Sequence, residues 1–342
     1  MTATFRRWIN FRSVFAAGLV AFLFWALQNA PLREIWAVLQ GLSLAKLLVL
    51  IGLNLFILIL LSLRWQLIVR ALGRRVSLRA LFGYRLGAFG VSYFTPGPQF
   101  GGEPLQVYLL KERHRLTSGA AISAVTLDKI FDLLANFAFL VFGATTIARA
   151  NLLPSLETWR LLSAALVLLA LPVAYLLLLK KGYRPASRGL AWIARQPSAP
   201  KAWCRMRPAF YRAEAGIARF YRQRPAVFLQ ALALSLIVWA LMLLEYWLML
   251  YFLGLRLDLI AVISALTAAR LAFLTPSPGG LGVLEASQVI VFQALGAGPA
   301  LALSVALLIR ARDLSLGVTG LWLVGALTRP ARPAQFVPEA SD

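Results

Sequence analysis

The sequence predicts an all-α polytopic membrane protein with six full spans and two broken helix pairs in a pseudo-inverted repeat. Three observations support this fold class. The 342-residue chain is 60% hydrophobic and has a mean hydropathy of +0.75, which is too apolar for a soluble domain with a polar surface. Six apolar runs approach the length that crosses a bilayer. Two matched clusters of proline and glycine interrupt further hydrophobic sequence.

Each predicted span is an apolar run bounded by charged or turn-forming residues. A transmembrane helix needs about 20 such residues, and the six runs are 12–27, 46–69, 120–147, 159–179, 225–253 and 301–327. The first run follows several arginines, as a signal peptide does, but it lacks an Ala-x-Ala cleavage pattern. We therefore expect it to be an uncleaved first helix.

The two broken segments, residues 80–111 and 259–295, are each too long for one span and are interrupted in the middle. The first runs Thr95-Pro-Gly-Pro-Gln-Phe-Gly-Gly-Glu103, and the second runs Thr275-Pro-Ser-Pro-Gly-Gly-Leu-Gly-Val-Leu-Glu285. Two prolines remove backbone donors and clash with the preceding turn, so no helix continues through either cluster. In hydrocarbon, broken backbone survives only where protein or a wet cavity covers it. We expect re-entrant pairs that enter to mid-depth, break and leave by the same side.

The distribution of basic residues predicts the orientation. With the N-terminus inside, the inner side receives the basic clusters at 6–12, 64–85, 111–115, 180–224 and 310–332, whereas the outer side receives only Arg33, Lys46, Arg149, Arg160 and Arg256. This asymmetry places both termini in the cytoplasm. The first break is then entered from the cytoplasm and the second from outside, which is typical of an inverted repeat with substrate near the midplane.

This orientation divides the chain into four parts: an N-terminal half (1–179), a basic interfacial loop (180–225), a C-terminal half (226–329) and a cytoplasmic tail (330–342). The loop carries twelve basic residues against one acid, Glu214, with aromatic residues interleaved. Such a segment is typical of one that lies on an anionic inner leaflet. A solvated linker that obeys the positive-inside rule is the alternative.

Several function classes are disfavoured by composition. The formal net charge of +22 falls between apolar runs rather than along one solvated face, so membrane orientation accounts for it better than nucleic-acid binding. One cysteine, Cys204, excludes an intrachain disulfide, and one histidine, His114, argues against a Cys/His metal site. No phosphate-binding Gly-x-x-x-x-Gly-Lys loop is present. We expect no metal and no cofactor.

Charged residues inside the predicted spans are the candidate functional groups. Asp128, Lys129 and Asp132 lie near the middle of one span, where each costs roughly 3 kcal/mol to insert, so they must be paired or wetted. The C-terminal half contains further charged residues in or beside its apolar segments: Arg270, Glu285, Arg310, Glu245, Arg312 and Asp313. Such groups mark substrate or proton routes by default. A structural ion-pair network is the alternative, as is snorkelling for Arg310 and Arg312.

The breaks themselves offer anion sites. Half-helices that start near Gly102 and Gly280 would present free N–H groups and a positive dipole end. The carboxylates of the two motifs could hold Lys129 or Arg270, take a proton or meet a cationic headgroup. The candidate substrate-binding residues are Thr95, Gly101, Gly102, Glu103, Asp128, Lys129, Asp132, Arg270, Thr275, Ser277, Gly279, Gly280, Glu285 and Arg310.

These motifs resemble those of a known family. Residues 98–111 resemble the Gly-Gly-Glu motif of the lysylphosphatidylglycerol synthase transmembrane region, also called the flippase-like or UPF0104 family. Residues 275–286 resemble its Pro-Gly-Gly-x-Gly-x-x-Glu signature, and Asp128-Lys-Ile-Phe-Asp132 resembles its Glu-Arg-x-x-Asp element with Asp and Lys in place of Glu and Arg. Arg310 sits where the family has an arginine in its last span. The likeness covers nearly the whole chain.

The resemblance implies a transport function. In the multiple peptide resistance factors, this region is taken to move aminoacylated phosphatidylglycerol between leaflets after a soluble domain has made it. We expect a stand-alone member without that synthetase domain, and therefore no synthase activity. Stand-alone relatives are associated with hopanoid or other envelope lipids, or with polyprenyl-linked sugars.

We therefore predict a translocase of the bacterial inner (plasma) membrane that moves an anionic or aminoacylated phospholipid, or a related envelope lipid, and is not an enzyme. Its expected partners are that lipid, the anionic inner leaflet through residues 180–225, and a lipid-synthesising enzyme, with no nucleic acid. One alternative is an accessory protein or enzyme acting on polyprenyl-phosphate-linked sugars. Another is a membrane scaffold for a partner lipid synthase.

Overall fold

The computed structural model describes residues 33, 36, 37, 40–95, 101–150, 155–196, 201–275 and 277–327. Within these ranges the chain is helical and contains no β-strand. The first predicted span, residues 12–27, and the predicted tail, 330–342, lie outside the described residues.

The helices follow one another with short connections. Numbered in chain order, they are α1 (Leu44–Ala71), α2 (Leu78–Phe94), α3 (Glu103–His114), α4 (Ser118–Arg149), α5 (Ser155–Lys180), α6 (Pro185–Ile193), α7 (Lys201–Gln223), α8 (Pro225–Phe252), α9 (Leu259–Ala272), α10 (Val283–Ala294) and α11 (Pro299–Leu327).

Four helices are long and apolar enough to cross a membrane: α1, α4, the part of α5 from Glu157 to Lys180, and α8. They coincide with the predicted spans 46–69, 120–147, 159–179 and 225–253. Helix α11 covers the predicted span 301–327 and is not among these four. Like α4, it carries three charged residues near its middle. Large apolar side chains are exposed along α1, α5 and α8, as expected of surfaces that face lipid. The protein is therefore a multi-pass membrane protein.

Both predicted helix breaks are present. Helix α2 ends at Phe94, Thr95 is extended, and helix structure resumes at Glu103. The second break separates α9 from α10 and contains a short 3-10 turn, Pro278–Gly280. Gly279, Gly280 and Gly282 have positive φ angles of 55°, 67° and 78°, a conformation that glycine adopts without strain. At about 1.5 Å per residue, none of α2, α3, α9 and α10 is as long as the four spans.

Small residues bring the two halves together. Helix α2 packs along α11, where a Cβ on Gly90 would lie 2.5 Å from the carbonyl oxygen of Gly317, and a Cβ on Gly320 would collide with the carbonyl of Leu86. Glycines in this pattern let membrane helices approach backbone to backbone. The close approach places Tyr93, at the end of α2, against Gly279 in the second break. The two breaks are therefore neighbours.

The segment predicted as a basic loop, residues 180–225, folds largely as the helices α6 and α7. Glu214 of α7 is buried and accepts hydrogen bonds from the backbone N–H groups of Ala186 (2.9 Å) and Ser187 (3.0 Å), and from the hydroxyls of Ser187 and Tyr175. It thereby caps the N-terminus of α6. The single acid of this segment thus fixes α6 to α7 and to the end of α5.

Gly320→Ala tests the contact between α2 and α11. The added methyl group meets the backbone of α2, so we expect a loss of about 1–3 kcal/mol in the free energy of unfolding, measured by thermal unfolding in detergent. Gly325→Ala is the matched control on the same helix, since its Cβ meets nothing within 4 Å and alanine favours helix. Equal stability of the two variants would contradict this packing.

Candidate functional site

A cavity of about 510 Å³ lies between the two broken helix pairs, within the size range of small-molecule sites. Ser92, Tyr93 and Glu103 line it from the first pair, and Arg270 and Phe273 line it from the second. Ten charged residues line the cavity: Arg64, Arg85, Glu103, Asp128, Lys129, Asp132, Glu245, Arg270, Arg312 and Asp313. The remaining wall is mainly apolar, so charge is concentrated inside a hydrophobic body.

Arg64 of α1 holds the aspartates of α4. Its Nε donates to Asp128 Oδ1 at 3.0 Å, and its Nη2 lies 2.5 Å from Asp132 Oδ1. Its Nη1 donates to Ser235 Oγ on α8 at 2.9 Å. Arg85 of α2 binds the second oxygen of Asp128. The four-residue spacing puts both aspartates on one helix face, so the predicted pairing of these charges is present.

The first break is held by Glu103. Its Oε1 lies 2.8 Å from Lys129 Nζ on α4, and its Oε2 accepts a hydrogen bond from the N–H of Gly101 at 2.9 Å. The N–H of Gly102 donates to Ser92 Oγ at 2.9 Å. The positive end of α3, predicted as an anion site, therefore already faces its own carboxylate.

The second break is held by Arg310 of α11. Its Nε and Nη2 bind the two carboxylate oxygens of Glu285 at 2.7 and 3.0 Å. The same guanidinium donates to the carbonyls of Gly279 (2.5 Å) and Gly280 (3.0 Å), and Glu285 accepts from the N–H of Gly282 at 2.9 Å. Arg310 thus satisfies carbonyl groups that the broken helix leaves without partners. Snorkelling, the alternative for Arg310, is wrong.

Arg312 also forms ion pairs at the cavity instead of extending away from the helix bundle. Its Nη1 lies 3.1 Å from Glu245 Oε1 on α8, and its Nη2 lies 2.9 Å from Asp313 Oδ1. Asn54 of α1 donates to the same Glu245 oxygen at 3.1 Å. Snorkelling is therefore wrong for Arg312 as well, and the pairing joins α1, α8 and α11 at the cavity.

Arg270 differs from the other cavity cations. Its guanidinium carbon lies 4.9 Å from the ring centre of Trp239, and its Nη2 lies 3.3 Å from Met242 Sδ. Its Nε is buried and has no hydrogen-bond partner. Across the described residues, Arg270 forms no ion pair with a carboxylate. Of the alternatives for the motif carboxylates, the structure therefore shows pairing with Lys129, through Glu103, and not with Arg270. Its charge faces aromatic and sulfur atoms and the open cavity.

The cavity gathers only part of the predicted site. Gly102, Glu103, Asp128, Lys129, Asp132 and Arg270 line it, whereas Thr95, Gly101, Thr275, Ser277, Gly279, Gly280, Glu285 and Arg310 do not. The hydroxyls of Thr95 and Thr275 instead donate to carbonyls at the ends of their own helices, both at 2.6 Å. Of the two motif carboxylates in the candidate set, Glu103 lines the cavity and Glu285 does not.

Sequence reasoning misses two charged cavity residues, Arg64 and Arg85. It names Glu245, Arg312 and Asp313 as charges inside the spans but does not include them among the substrate-binding candidates. Arg64 was counted with the basic residues of the inner side, although it lies within α1, seven residues before that helix ends. Its position inside an apolar run was the available signal. Within the described ranges, no three acidic, histidine or cysteine side chains gather as metal ligands would.

Comparison with known proteins gives a family match over most of the chain. The family model described as Lysylphosphatidylglycerol synthase TM region matches residues 11–320. Similar proteins include a UPF0104 membrane protein of Methanothermobacter thermautotrophicus, 24% identical over 290 residues that cover 82% of each chain. A second, from Methanocaldococcus jannaschii, is 23% identical over 75% of this chain and 77% of its own. A third, from Pyrococcus horikoshii, is 25% identical over 73% and 77%.

Arg64→Met tests the pairing at the cavity wall. Removing one partner leaves the buried carboxylate of Asp128 with fewer partners and Asp132 without its arginine, so we expect a loss of about 3–5 kcal/mol in the free energy of unfolding, measured by denaturation in detergent. The exposed Arg75→Met is the control. Adding Asp132→Asn should restore part of the loss. A loss no larger than that of the control would mean that these pairs contribute little to stability.

Proposed function

Since the chain belongs to the family of the lysylphosphatidylglycerol synthase TM region, we propose that it moves a lipid between the leaflets of its membrane. We place it in the bacterial inner membrane with both termini in the cytoplasm, an orientation supported by the distribution of basic residues. The proposed architecture has six full spans and two re-entrant pairs that form an inverted repeat.

The observation that carries this proposal is the charged cavity between the two breaks. A lipid headgroup cannot cross hydrocarbon unaided, because burial of an unpaired charge is costly. The cavity offers basic and acidic side chains to the headgroup, and its wall also contains the apolar residues Leu61, Phe89 and Leu133. A site with this mixture suits an amphiphile better than a small ion.

The charges of the cavity favour a headgroup with a phosphate. Its five basic and five acidic residues balance, yet Arg270 is left without a carboxylate while Arg312 binds two. A phosphate oxygen would supply the acceptor that the Arg270 guanidinium lacks. On the same cavity wall, the side chain of Asp132 is 37% exposed and could bind an amine. We therefore propose an anionic or aminoacylated phospholipid as substrate.

Equivalent positions in the two halves support the inverted repeat. Lys129 is the twelfth residue of α4 and Arg310 is the twelfth residue of α11, and each binds the glutamate of the preceding break. An aspartate follows three residues later in both helices. Arg64 and Glu245 are likewise the twenty-first residues of α1 and α8. The repeat seen in the two break motifs thus includes the basic residues that pair with their glutamates.

The relative direction of α1 and α8 also supports an inverted repeat. Arg64 of α1 binds Ser235 of α8, whereas Asn54, earlier in α1, binds Glu245, later in α8. These two contacts show that α1 and α8 run antiparallel. Antiparallel direction of equivalent helices is what an inverted-topology repeat requires, and such repeats underlie alternating access around a midplane site.

We propose transport rather than catalysis. The carboxylates that line the cavity each bind a basic side chain in the structure, an arrangement that pairs charges and does not activate a nucleophile. Covalent change in a lipid extract incubated with pure protein would instead favour the enzyme that acts on polyprenyl-phosphate-linked sugars.

We also propose that α6 and α7 lie on the anionic inner leaflet. The guanidinium carbon of Arg184 lies 3.7 Å from the ring centre of Tyr211, and Lys180 Nζ lies 5.9 Å from that of Tyr221. Trp192 and Tyr183 are exposed, and the guanidinium carbon of Arg188 lies 5.0 Å from the ring centre of Tyr183. Aromatic rings and basic groups presented together suit the interface between headgroups and acyl chains.

Arg270→Gln tests the proposed transport. We expect a drop of roughly ten- to a hundredfold in the rate of translocation, because a charge-assisted hydrogen bond contributes about 1.5–3 kcal/mol. The measurement is the leaflet accessibility of fluorescent phosphatidylglycerol in proteoliposomes, with protein-free vesicles as the baseline. Arg270→Lys should retain part of the rate, since it keeps the charge.

Arg256→Gln is the matched control for that experiment, since Arg256 is exposed and lies outside the cavity. It should translocate at the wild-type rate. Wild-type protein that moves no more lipid than empty vesicles would refute transport of this lipid. Translocation by Arg270→Gln at the wild-type rate would refute the assigned role of Arg270.

A further inference from the structure

A second cavity, of about 440 Å³, lies where α1 ends, α4 begins and α7 packs across them. Arg212, Arg219 and Arg224 line it, together with Thr117 at the start of α4. Neither aspartate nor glutamate occurs among the described residues that line it. The cavity is therefore strongly basic, unlike the balanced cavity between the breaks.

The guanidinium groups of the three arginines are turned to no carboxylate of the described residues. In the part of the chain that the structure describes, none of their guanidinium groups forms an ion pair or a hydrogen bond. The acid of their helix, Glu214, is buried against Ala186 and Ser187 of α6. Three like charges around one concave surface repel one another, so an anion bound among them would be stabilised.

Glycines let α4 and α7 pack closely beside this cavity. A Cβ on Gly119 of α4 would lie 2.8 Å from Arg212 Cβ, and a Cβ on Gly216 of α7 would lie 2.5 Å from Ser123 Oγ. Ser123 Oγ also donates to the carbonyl of Ala213 at 2.9 Å, which ties the two helices together. The arginines are thus presented on a packed helix junction rather than on a free loop.

We propose that this second cavity binds the phosphate of an anionic phospholipid headgroup at the membrane surface. A guanidinium fork matches phosphate oxygens, and basic pockets between membrane helices on the cytoplasmic side are typical headgroup sites. A volume of about 440 Å³ accommodates more than a bare phosphate ion, so a headgroup with its glycerol fits.

The second cavity is distinct from the site between the breaks. In the described part of the chain, the two cavities share no lining residue. Where their linings come closest along α4, Ser123 lines the second cavity and Val125 lines the site between the breaks, and residues two positions apart point to nearly opposite sides of a helix. The inference rests on the proposed placement of α7 at the inner leaflet, but it does not rest on transport, because it concerns binding alone. It also goes beyond general attraction of α6 and α7 to the leaflet, since it assigns three particular arginines.

The test compares two triple variants of the full chain that remove the same charge from the same segment. Arg212→Gln, Arg219→Gln and Arg224→Gln remove the arginines of the second cavity. Arg195→Gln, Arg207→Gln and Arg222→Gln remove exposed arginines that do not line it. The probe is phosphatidylglycerol in phosphatidylcholine nanodiscs, and bound lipid is counted by native mass spectrometry.

We expect the cavity variant to bind phosphatidylglycerol at least about tenfold more weakly and the control variant to bind as the wild type does. If both variants lost phosphatidylglycerol binding equally, the lipid would be held by diffuse charge attraction and the proposed site would be refuted. If neither variant lost binding, the site would be refuted as well. Should the cavity triple not purify as folded protein, Arg219→Gln against Arg222→Gln makes the same comparison.

A second arm identifies the source of the phosphate. Glycerol 3-phosphate added to protein in detergent should compete with phosphatidylglycerol, because both carry the same group. Binding of glycerol 3-phosphate without binding of phosphatidylglycerol would assign the cavity to a soluble phosphate ester and overturn the lipid. Failure of either arm leaves the Arg270 transport experiment unaffected, since that experiment probes the other cavity.

Discussion

The structure depends on ion pairs that let charged side chains exist inside an apolar body. Each such charge costs roughly 3 kcal/mol to insert alone, and no water in the hydrocarbon core replaces a missing partner. Arg64 joins α1 to α4 through Asp128, Glu103 joins α3 to α4 through Lys129, and Arg310 joins α11 to the second break. The pairs therefore fix which helices become neighbours, and the cavity forms where they converge.

The same constraint explains why the helix breaks of the two halves are stabilised in the same way. A break exposes N–H and C=O groups that need partners. In each half, the motif glutamate accepts from a glycine N–H and also binds a cation on the following long helix. Arg310 further satisfies the carbonyls of Gly279 and Gly280. In each break, one carboxylate thus accepts a hydrogen bond from the backbone and also forms the ion pair with the next long helix.

The sequence predicted the features that local chemistry determines. Proline and glycine located both breaks, apolar length located four spans, and the cost of burial required partners for Asp128 and Asp132. It did not identify Arg64 as that partner, because charge counting treats an arginine near the end of a span as an orientation signal. It also did not separate Glu103 from Glu285, since only the packing of α11 decides which carboxylate faces the cavity and which binds Arg310.

Exposure of the pairs indicates which contacts could exchange with the proposed lipid substrate. The side chains of Arg64 and Asp128 are 2% and 6% exposed, whereas those of Lys129 and Glu103 are 26% and 25% exposed. A headgroup cannot reach the first pair without opening packed helices, but it can approach the second from the cavity. An incoming phosphate would compete with Glu103 for Lys129 and meet Arg270 without competition. Because Lys129 also holds the first break in place, substrate binding there would weaken the contact between α3 and α4. The ion pair that stabilises the first break is thus the one best placed to respond to the proposed substrate.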